Sequence, residues 1–222
     1  MDGPGEPFLM CIEDVFCRNQ GRAVLLAGRI ERGRVRKGDE LEIVGFGGSA
    51  VVTVGDIGAC RRYIDETGAG MNVLLSTSGV AAGAVERGQV LAAPGSISEY
   101  ISFSADIALL SEEDGAAEVR TGERLQLHIR TAVVTGYVTL APETDVLHPL
   151  HRGDVTITLD RPVALEDGQP FAFRQRGRAA GSGAVTLLGT RDTLGGIGSR
   201  LQGHPRVGQL GLTGGEVAAT RR

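Results

Sequence analysis

Four polar side chains alternate along one short segment, and their chemical types suit contact with a polyanion. The residues between them are leucine or isoleucine, and this period of two predicts a strand with the polar set on one outward face. Arginine and amide groups bind nucleic-acid phosphates without distinguishing bases. The segment is therefore a candidate contact for RNA backbone, with a merely solvated strand face as the alternative. The polar residues are Arg124, Gln126, His128 and Arg130.

The motifs of several common enzyme classes are absent from the sequence. A phosphate-binding P-loop ends in Gly-Lys-Ser/Thr, but the only lysine, Lys37, is followed by Gly38 and Asp39. The Asn-Lys-x-Asp motif that binds guanine also fails, because neither asparagine precedes a lysine. No serine lies in Gly-x-Ser-x-Gly, the nucleophile elbow of many hydrolases. We therefore expect no enzyme activity, no nucleotide binding by this chain alone and no cofactor.

Two other groups could do chemistry only if the fold assembled them. His148 and His151 flank Pro149 at a spacing that two metal ligands could use, although loop histidines are the simpler interpretation. Glu112 and Glu113 could supply a general acid and base in a cleft, but they lie in a segment that we expect to be a solvated loop. Neither group predicts a metal or catalytic site by itself.

Composition and charge are those of an ordinary globular chain. The net charge of −4 gives no global attraction to nucleic acid. No apolar run approaches the roughly 18 residues of a membrane span, so we expect no membrane partner. The three cysteines form an odd and sparse set, which favours buried thiols in a reducing cytoplasm. A disulfide or metal pair of Cys11 and Cys17 is the alternative.

Short β-rich runs separated by glycine turns extend along most of the chain and predict an all-β fold of barrels or sandwiches. The segment Ala92-Ala-Pro-Gly-Ser96 is typical of a linker between domains. The glycine-rich end has few large apolar groups and cannot offset its ordering entropy, so we expect disorder there. The predicted division is a disordered lead at 1–6, domains at 7–96 and 97–190, and a disordered tail at 191–222.

Several ordered motifs resemble the two β-barrel domains, the second and third domains, of elongation factor Tu. They include Pro7–Phe16 (PFLMCIEDVF), Gly28–Gly33 (GRIERG) and Lys37–Gly45 (KGDELEIVG) in the first part of the chain. Val85–Ala92 (VERGQVLA) follows, and Val134-Thr-Gly136 continues the match in the second part. The resemblance implies two antiparallel β-barrels in tandem. The motifs of that factor's GTPase domain are not found in the sequence.

The resemblance also implies roles for particular residues. In that family the first barrel holds the 3′ end of aminoacyl-tRNA, and Asn72 matches an asparagine that helps to bind the aminoacyl group; a turn residue is the alternative. Gly58 matches a glutamate that bonds the terminal ribose, and glycine has no acceptor there. Arg124 matches an arginine of the second barrel, which grips the T-stem. Gly181 and Gly183 match family glycines near the tRNA, and a barrel corner that excludes side chains is the other explanation.

These observations leave two kinds of function open. The first is a non-enzymatic module that engages aminoacyl-tRNA or the ribosome without GTP. The second is a protein-interaction or regulatory module without an RNA partner, or an accessory subunit of a separate GTPase. The residues that the RNA hypothesis depends on are Asn72, Arg124, Gln126, His128 and Arg130.

Overall fold

The chain folds into antiparallel strands because most segments alternate apolar and polar residues between glycine turns. The computed structural model describes residues 5–18 and 23–187, and within these it contains strands and one 3₁₀ turn at Ala82–Ala84. The all-β prediction is thereby confirmed. Nowhere in the described residues is a helix long and apolar enough to cross a membrane.

The first barrel region contains nine strands, six of which close the barrel. These are β1 Leu9–Arg18, β2 Ala23–Arg32, β3 Arg34–Arg36, β4 Glu40–Gly45, β5 Gly48–Ala59, β6 Arg62–Ile64, β7 Glu66–Gly68, β8 Asn72–Ser78 and β9 Val90–Ala92. The main sheet has the order β4-β9-β1-β2-β8-β5-β6, and pairing of β4 with β5 closes it into a barrel. β6 extends from β5 as a hairpin arm beyond the closed part, while β3 and β7 form a separate two-stranded sheet.

The second barrel consists of six strands. These are β10 Ser98–Leu109, β11 Arg124–Ile129, β12 Ala132–Leu140, β13 Arg152–Leu165, β14 Pro170–Gln175 and β15 Arg178–Thr186. They close in the order β10-β13-β12-β11-β14-β15 with antiparallel pairing throughout. The prediction of two antiparallel barrels in tandem is therefore confirmed.

Each barrel encloses its own apolar core, and alternation decides which residues enter it. In β13, Val155, Ile157 and Leu159 are buried, whereas the residues between them are exposed, as the sequence predicts. The first core is built around side chains such as Met10 and Leu75, both fully buried. Burial of this kind supplies most of the free energy that favours folding.

A third apolar cluster lies where the two barrels meet, and we call it the seam. Its residues come from the first barrel, the linker and the second barrel, namely Leu9, Val44, Val90, Ala92, Ile97 and Ala164. The predicted domain boundary between residues 96 and 97 stays a prediction, and it falls in the segment between β9 and β10. The side chains of the seam are buried, so separating the barrels would expose them to water at a cost in free energy.

Several details differ from the sequence prediction. The β-rich pattern of the sequence predicts one run over Arg124–Leu140. The structure has a hairpin there, because Arg130 adopts a left-handed backbone conformation (φ 51°) and turns the chain between β11 and β12. The same pattern predicts a last run over Gly183–Leu188, whereas the last strand of the structure begins at Arg178. The predicted tail at 191–222, the last residues of the second predicted domain and the first four residues of the lead lie outside the described residues.

Candidate nucleic-acid interface

An open groove of about 510 Å³ lies on the outer face of the first barrel. Strands β1, β2 and β8 supply its floor, and the β5–β6 hairpin forms one wall. Asn72, the first residue of β8, is exposed and lines the groove, as does the half-exposed Leu74 on the same face. The lining residues are Glu13, Ala27, Gly28, 58–63 and 72–74.

Gly58, on the β5 side of the groove, contributes open space rather than a tight backbone contact. A Cβ atom built there would lie 3.5 Å from the Leu74 carbonyl oxygen and 3.7 Å from the Leu74 Cβ, which are ordinary contacts. Gly28 differs sharply, because a Cβ atom there would lie only 1.9 Å from the Cys11 carbonyl oxygen. Packing therefore demands glycine at position 28, whereas position 58 has space for a longer side chain.

The β5–β6 hairpin places cationic and aromatic groups at the rim of this groove. Its two-residue turn consists of Cys60 (φ 49°) and Arg61 (φ 64°), both left-handed, as a type I′ turn requires. Arg62 and Tyr63 follow on β6, and Tyr63 is 72% exposed. An exposed aromatic ring beside guanidinium groups suits stacking with a nucleic-acid base.

The second barrel carries arginines on neighbouring strands. Arg124 and Gln126 are exposed on β11, and Gln126 lies opposite Arg174 of β14. The hairpin after β14 adds Arg176, with φ 51°, and Arg178. We call this set, Arg124, Arg174, Arg176 and Arg178, the arginine face.

A cavity of about 370 Å³ opens beside the arginine face, between the 112–117 loop and the β14–β15 hairpin. Gln175 anchors its wall: its Nε2 donates to the Glu118 carbonyl oxygen at 3.1 Å and to Glu123 Oε1 at 3.0 Å. The Glu123 carboxylate, an unfavourable neighbour for phosphate in the sequence, is thus engaged by an amide. Glu112 also lines the cavity, and its negative charge opposes an anion there.

The described cations without a partner are not scattered evenly. These arginines form neither an ion pair nor a side-chain hydrogen bond within the part of the chain that the structure describes. Arg87 stands apart, and the others fall into two groups. One group surrounds the groove, where Arg29 lies opposite Asn72 across β2 and β8. The other is the arginine face. The first group consists of Arg29, Arg61 and Arg62.

Most cations elsewhere in the described residues are neutralised. Lys37 Nζ lies 2.7 Å from Asp56, Arg152 pairs with Asp106, and Arg161 donates to both carboxylate oxygens of Glu86 at 3.1 Å. A cation without a counter-charge presents its whole field to an incoming anion. The pattern therefore marks two surfaces that favour a polyanion, despite the negative charge of the chain.

Arg130 and His128 do not lie as the alternating pattern predicts. Arg130 belongs to the turn, and its side chain is only 5% exposed, because it extends to Glu31 and Glu166. The expected stripe of four outward polar groups therefore ends before it. His128 is half-buried on β11, and its Nε2 is a buried atom without a hydrogen-bond partner among the described residues.

Other residues singled out in the sequence have structural positions. A Cβ atom at Gly181 would lie 2.3 Å from the Ala108 carbonyl oxygen, and one at Gly183 would lie 2.8 Å from that of Asp106, so both glycines permit close strand approach. His148 contacts Glu118 at 3.1 Å and packs edge-on against His151. Cys11 is buried, but Cys17 and Cys60 are exposed, so the prediction of buried thiols is wrong for those two.

Sequence reasoning missed the hairpin cations of both barrels. In the second barrel the signal was present as the alternation of Arg174, Arg176 and Arg178, but only a three-dimensional pairing brings it beside Gln126. In the first barrel, Arg61 and Arg62 stand near Gly58 in sequence, and nothing there shows that the hairpin arm overhangs Asn72.

Comparison with protein-family models agrees with this architecture. Residues 96–188 match the model described as the elongation factor Tu C-terminal domain. The match spans the whole described second barrel, β10 to β15, and the barrel before it closes as the resemblance implies. The second barrel thus matches the elongation factor Tu C-terminal domain, and the two barrels in tandem are similar to the β-barrel domains of that translation factor.

Proposed function

We propose that this chain is a non-enzymatic RNA-binding module of the translation-factor type, which engages tRNA without GTP. The groove accepts the single-stranded 3′ end, and the arginine face contacts the backbone of the adjoining stem. The observation that carries this proposal is the clustering of unpaired cations on the two surfaces that the family resemblance implicates. Cations elsewhere that already pair with carboxylates do not give the positively charged surface that attracts RNA phosphates.

The chemistry available at the two surfaces differs and fits the two parts of the ligand. The groove offers Tyr63 for stacking, Asn72 for hydrogen bonds and two guanidinium groups for phosphate, which suits splayed single-stranded nucleotides. The arginine face offers cations on a sheet without an aromatic platform, which suits the backbone of a double helix. Glu13 at the groove is the one acidic group that lines it, and it disfavours a purely anionic ligand.

The direct test is binding of tRNA at two stated salt concentrations, measured by fluorescence anisotropy. We expect affinity to fall steeply with salt, with a slope of about 0.7 to 0.9 per phosphate contacted. The double variant R174Q/R178Q should weaken binding and reduce that slope by about 2. No salt-sensitive binding at concentrations of about 10⁻⁵ M would contradict the proposal.

A matched control removes the same charge from another surface. The double variant K37Q/R152Q changes the net charge equally but removes cations that already have acidic partners, Asp56 and Asp106. It should bind tRNA nearly as tightly as the unmodified protein. Equal losses in the two double variants would show that net charge alone, and not the arginine face, governs binding.

Gly58 supplies a second and independent test at the groove. Because the position has space, Gly58→Glu should fold normally and restore an acceptor for the terminal ribose. A hydrogen bond to a charged group contributes about 1.5 kcal/mol, so we expect roughly tenfold tighter binding. The gain should vanish with tRNA that lacks its 3′-terminal adenosine. Gly58→Ala is the control, and a gain there would contradict this role.

A protein partner is the second candidate, and one surface favours it. Leu110 and Leu150 are exposed, Leu150 to 75%, and the Leu150 amide donates to the Leu110 carbonyl oxygen, so the two residues are neighbours in space. An exposed apolar pair of this kind is typical of contact surfaces between proteins. Co-purification of one discrete protein that survives ribonuclease and is lost with Leu150→Glu would support this function over RNA binding.

A further inference from the structure

Arg130 has an environment unlike that of any RNA-contacting cation on the arginine face. Its Nε donates to Glu31 Oε2 at 3.1 Å, its Nη2 to Glu166 Oε2 at 2.6 Å and its Nη1 to the Ala164 carbonyl oxygen at 3.2 Å. Glu31 belongs to the first barrel, and Glu166 follows the last residue of β13 in the second. All three guanidinium nitrogens are therefore used inside the protein, and one of them crosses between barrels.

The contacts continue into an alternating chain of charges. Arg32 of the first barrel donates to both Glu166 oxygens, at 2.8 and 2.5 Å, while its Nε donates to the Pro7 carbonyl oxygen at 3.1 Å. The Cys11 thiol donates to the other Glu31 oxygen at 2.9 Å. We call Arg32, Glu166, Arg130 and Glu31 the inter-barrel network. Both of its carboxylates are held at both oxygens.

Such a network constrains geometry more strongly than the seam does. The seam consists of aliphatic contacts, which tolerate small displacements because dispersion is not directional. Paired guanidinium and carboxylate groups have a preferred planar arrangement, and a half-buried network is costly when any member loses its partner. The Phe46 amide also donates to the Pro162 carbonyl oxygen, and the Thr131 hydroxyl donates to the Ile12 carbonyl oxygen, so other hydrogen bonds cross between the barrels. The network adds charged contacts that hold the end of β2 beside the end of β11.

The same strands that carry the network also carry the proposed RNA contacts. On β2, Arg29 faces Asn72, and Glu31 and Arg32 end the strand two and three residues later. On β11, Arg124 and Gln126 lie on the arginine face, and Arg130 follows the last residue of that strand. Orientation of each surface is therefore coupled directly to the network through one strand in each barrel.

We propose that Arg130 is a positioning residue, which fixes the separation of the groove and the arginine face so that a single RNA occupies both. This inference rests on the proposed function. When two surfaces bind one ligand, the second contact forms at a high effective concentration, provided that the spacing matches. Loss of the network leaves both surfaces intact but makes their spacing variable, which lowers that effective concentration.

Three RNA probes separate positioning from direct contact. They are a short single strand ending in the tRNA 3′ sequence, a hairpin stem without an overhang, and the same stem carrying the strand as an overhang. The unmodified protein should bind the joined probe at least about 100-fold more tightly than either part. Arg130→Met should leave both parts unchanged and weaken the joined probe by about tenfold or more. Arg130→Lys should recover part of that loss.

A control and a distance measurement complete the test. Arg161→Gln removes another ion pair between the barrels, the exposed one with Glu86, and should leave the joined probe unaffected. Spin labels at Val51→Cys and Thr139→Cys, with Cys17 and Cys60 replaced by serine, should give a narrow distance distribution that Arg130→Met broadens.

Weaker binding of the stem alone by Arg130→Met would overturn the inference in favour of direct contact. An unchanged distance distribution would overturn it whatever the RNA result, and failure of every probe to bind the unmodified protein would instead remove the proposed function with it.

Discussion

At Gly181, the addition of a single methyl group should destabilise the second barrel. A Cβ atom there would lie 2.3 Å from the Ala108 carbonyl oxygen and 2.4 Å from Phe173 Cζ, in a wall where β15 crosses β10. Gly181→Ala should lower the free energy of unfolding by about 2 to 3 kcal/mol, because neither the backbone nor the buried ring can yield cheaply. Urea denaturation measures the loss.

Gly58→Ala is the matched control for that substitution, since its Cβ atom would make only ordinary contacts. It should change the free energy of unfolding by less than about 1 kcal/mol. Comparable losses at the two positions would contradict the clash as the cause, because the change in backbone entropy from glycine to alanine by itself favours the folded state.

Residue by residue, the sequence predicted the steric role of Gly181 and Gly183 as one of two alternatives, and the structure supports it. It failed at Arg130. The alternation of β11 predicts the strand correctly up to Ile129, but a left-handed turn residue is signalled by glycine or asparagine and not by arginine. The partners that bury Arg130 lie far away in the sequence, so no local pattern contains them.

At the scale of elements, most long strands were predictable, and of the three-residue strands only β9 lies in a run that the sequence predicts, Gln89–Ala92. β13 and β14 alternate over enough residues to show a period of two, whereas β3, β6 and β7 have three residues each and show none. The start of β15 was missed because Arg178–Gly183 is rich in glycine and alanine, which carry no hydrophobic pattern. The groove was missed for the same reason, since the short β6 forms its wall.

In the β5–β6 hairpin, we expect Arg61 to lower the stability of the protein and to strengthen tRNA binding. Arg61 holds a left-handed conformation that costs a residue with a Cβ atom about 1 kcal/mol, and glycine does not incur this cost. Arg61→Gly should therefore raise the melting temperature by about 2 to 4 °C. It should also weaken tRNA binding and reduce the salt slope by about 0.7, because one phosphate contact is lost.

Arg62→Gly tests whether those two effects are separable. Arg62 lies on β6 with an ordinary backbone conformation, so its replacement should weaken tRNA binding without raising the melting temperature. If Arg61→Gly stabilises the protein and leaves the RNA affinity unchanged, Arg61 does not contact RNA. The hairpin turn is then not part of the interface.

For the whole molecule, the joining of the barrels should depend on pH. The Arg32 guanidinium, with Arg130, holds the pKa of Glu166 below its ordinary value, and Arg161 does the same for the pKa of Glu86. Both carboxylates pair across the barrels. A carboxyl group with a lowered pKa stabilises the folded state above the unfolded pKa of about 4.3, and this contribution is lost as pH falls through the lower folded value.

We therefore expect one cooperative thermal transition at neutral pH and two transitions, one for each barrel, in acid below about pH 4. Glu166→Gln should separate the transitions already at neutral pH, because the neutral amide cannot hold both arginines. Glu66→Gln is the control: the pKa of Glu66 is also lowered, by Arg36 and Arg34, but all three residues belong to the first barrel. It should shift the first transition without splitting it. Calorimetry distinguishes these outcomes, and a single transition that persists in acid would show that the seam, with the uncharged hydrogen bonds of Phe46 and Thr131 between the barrels, suffices to join them.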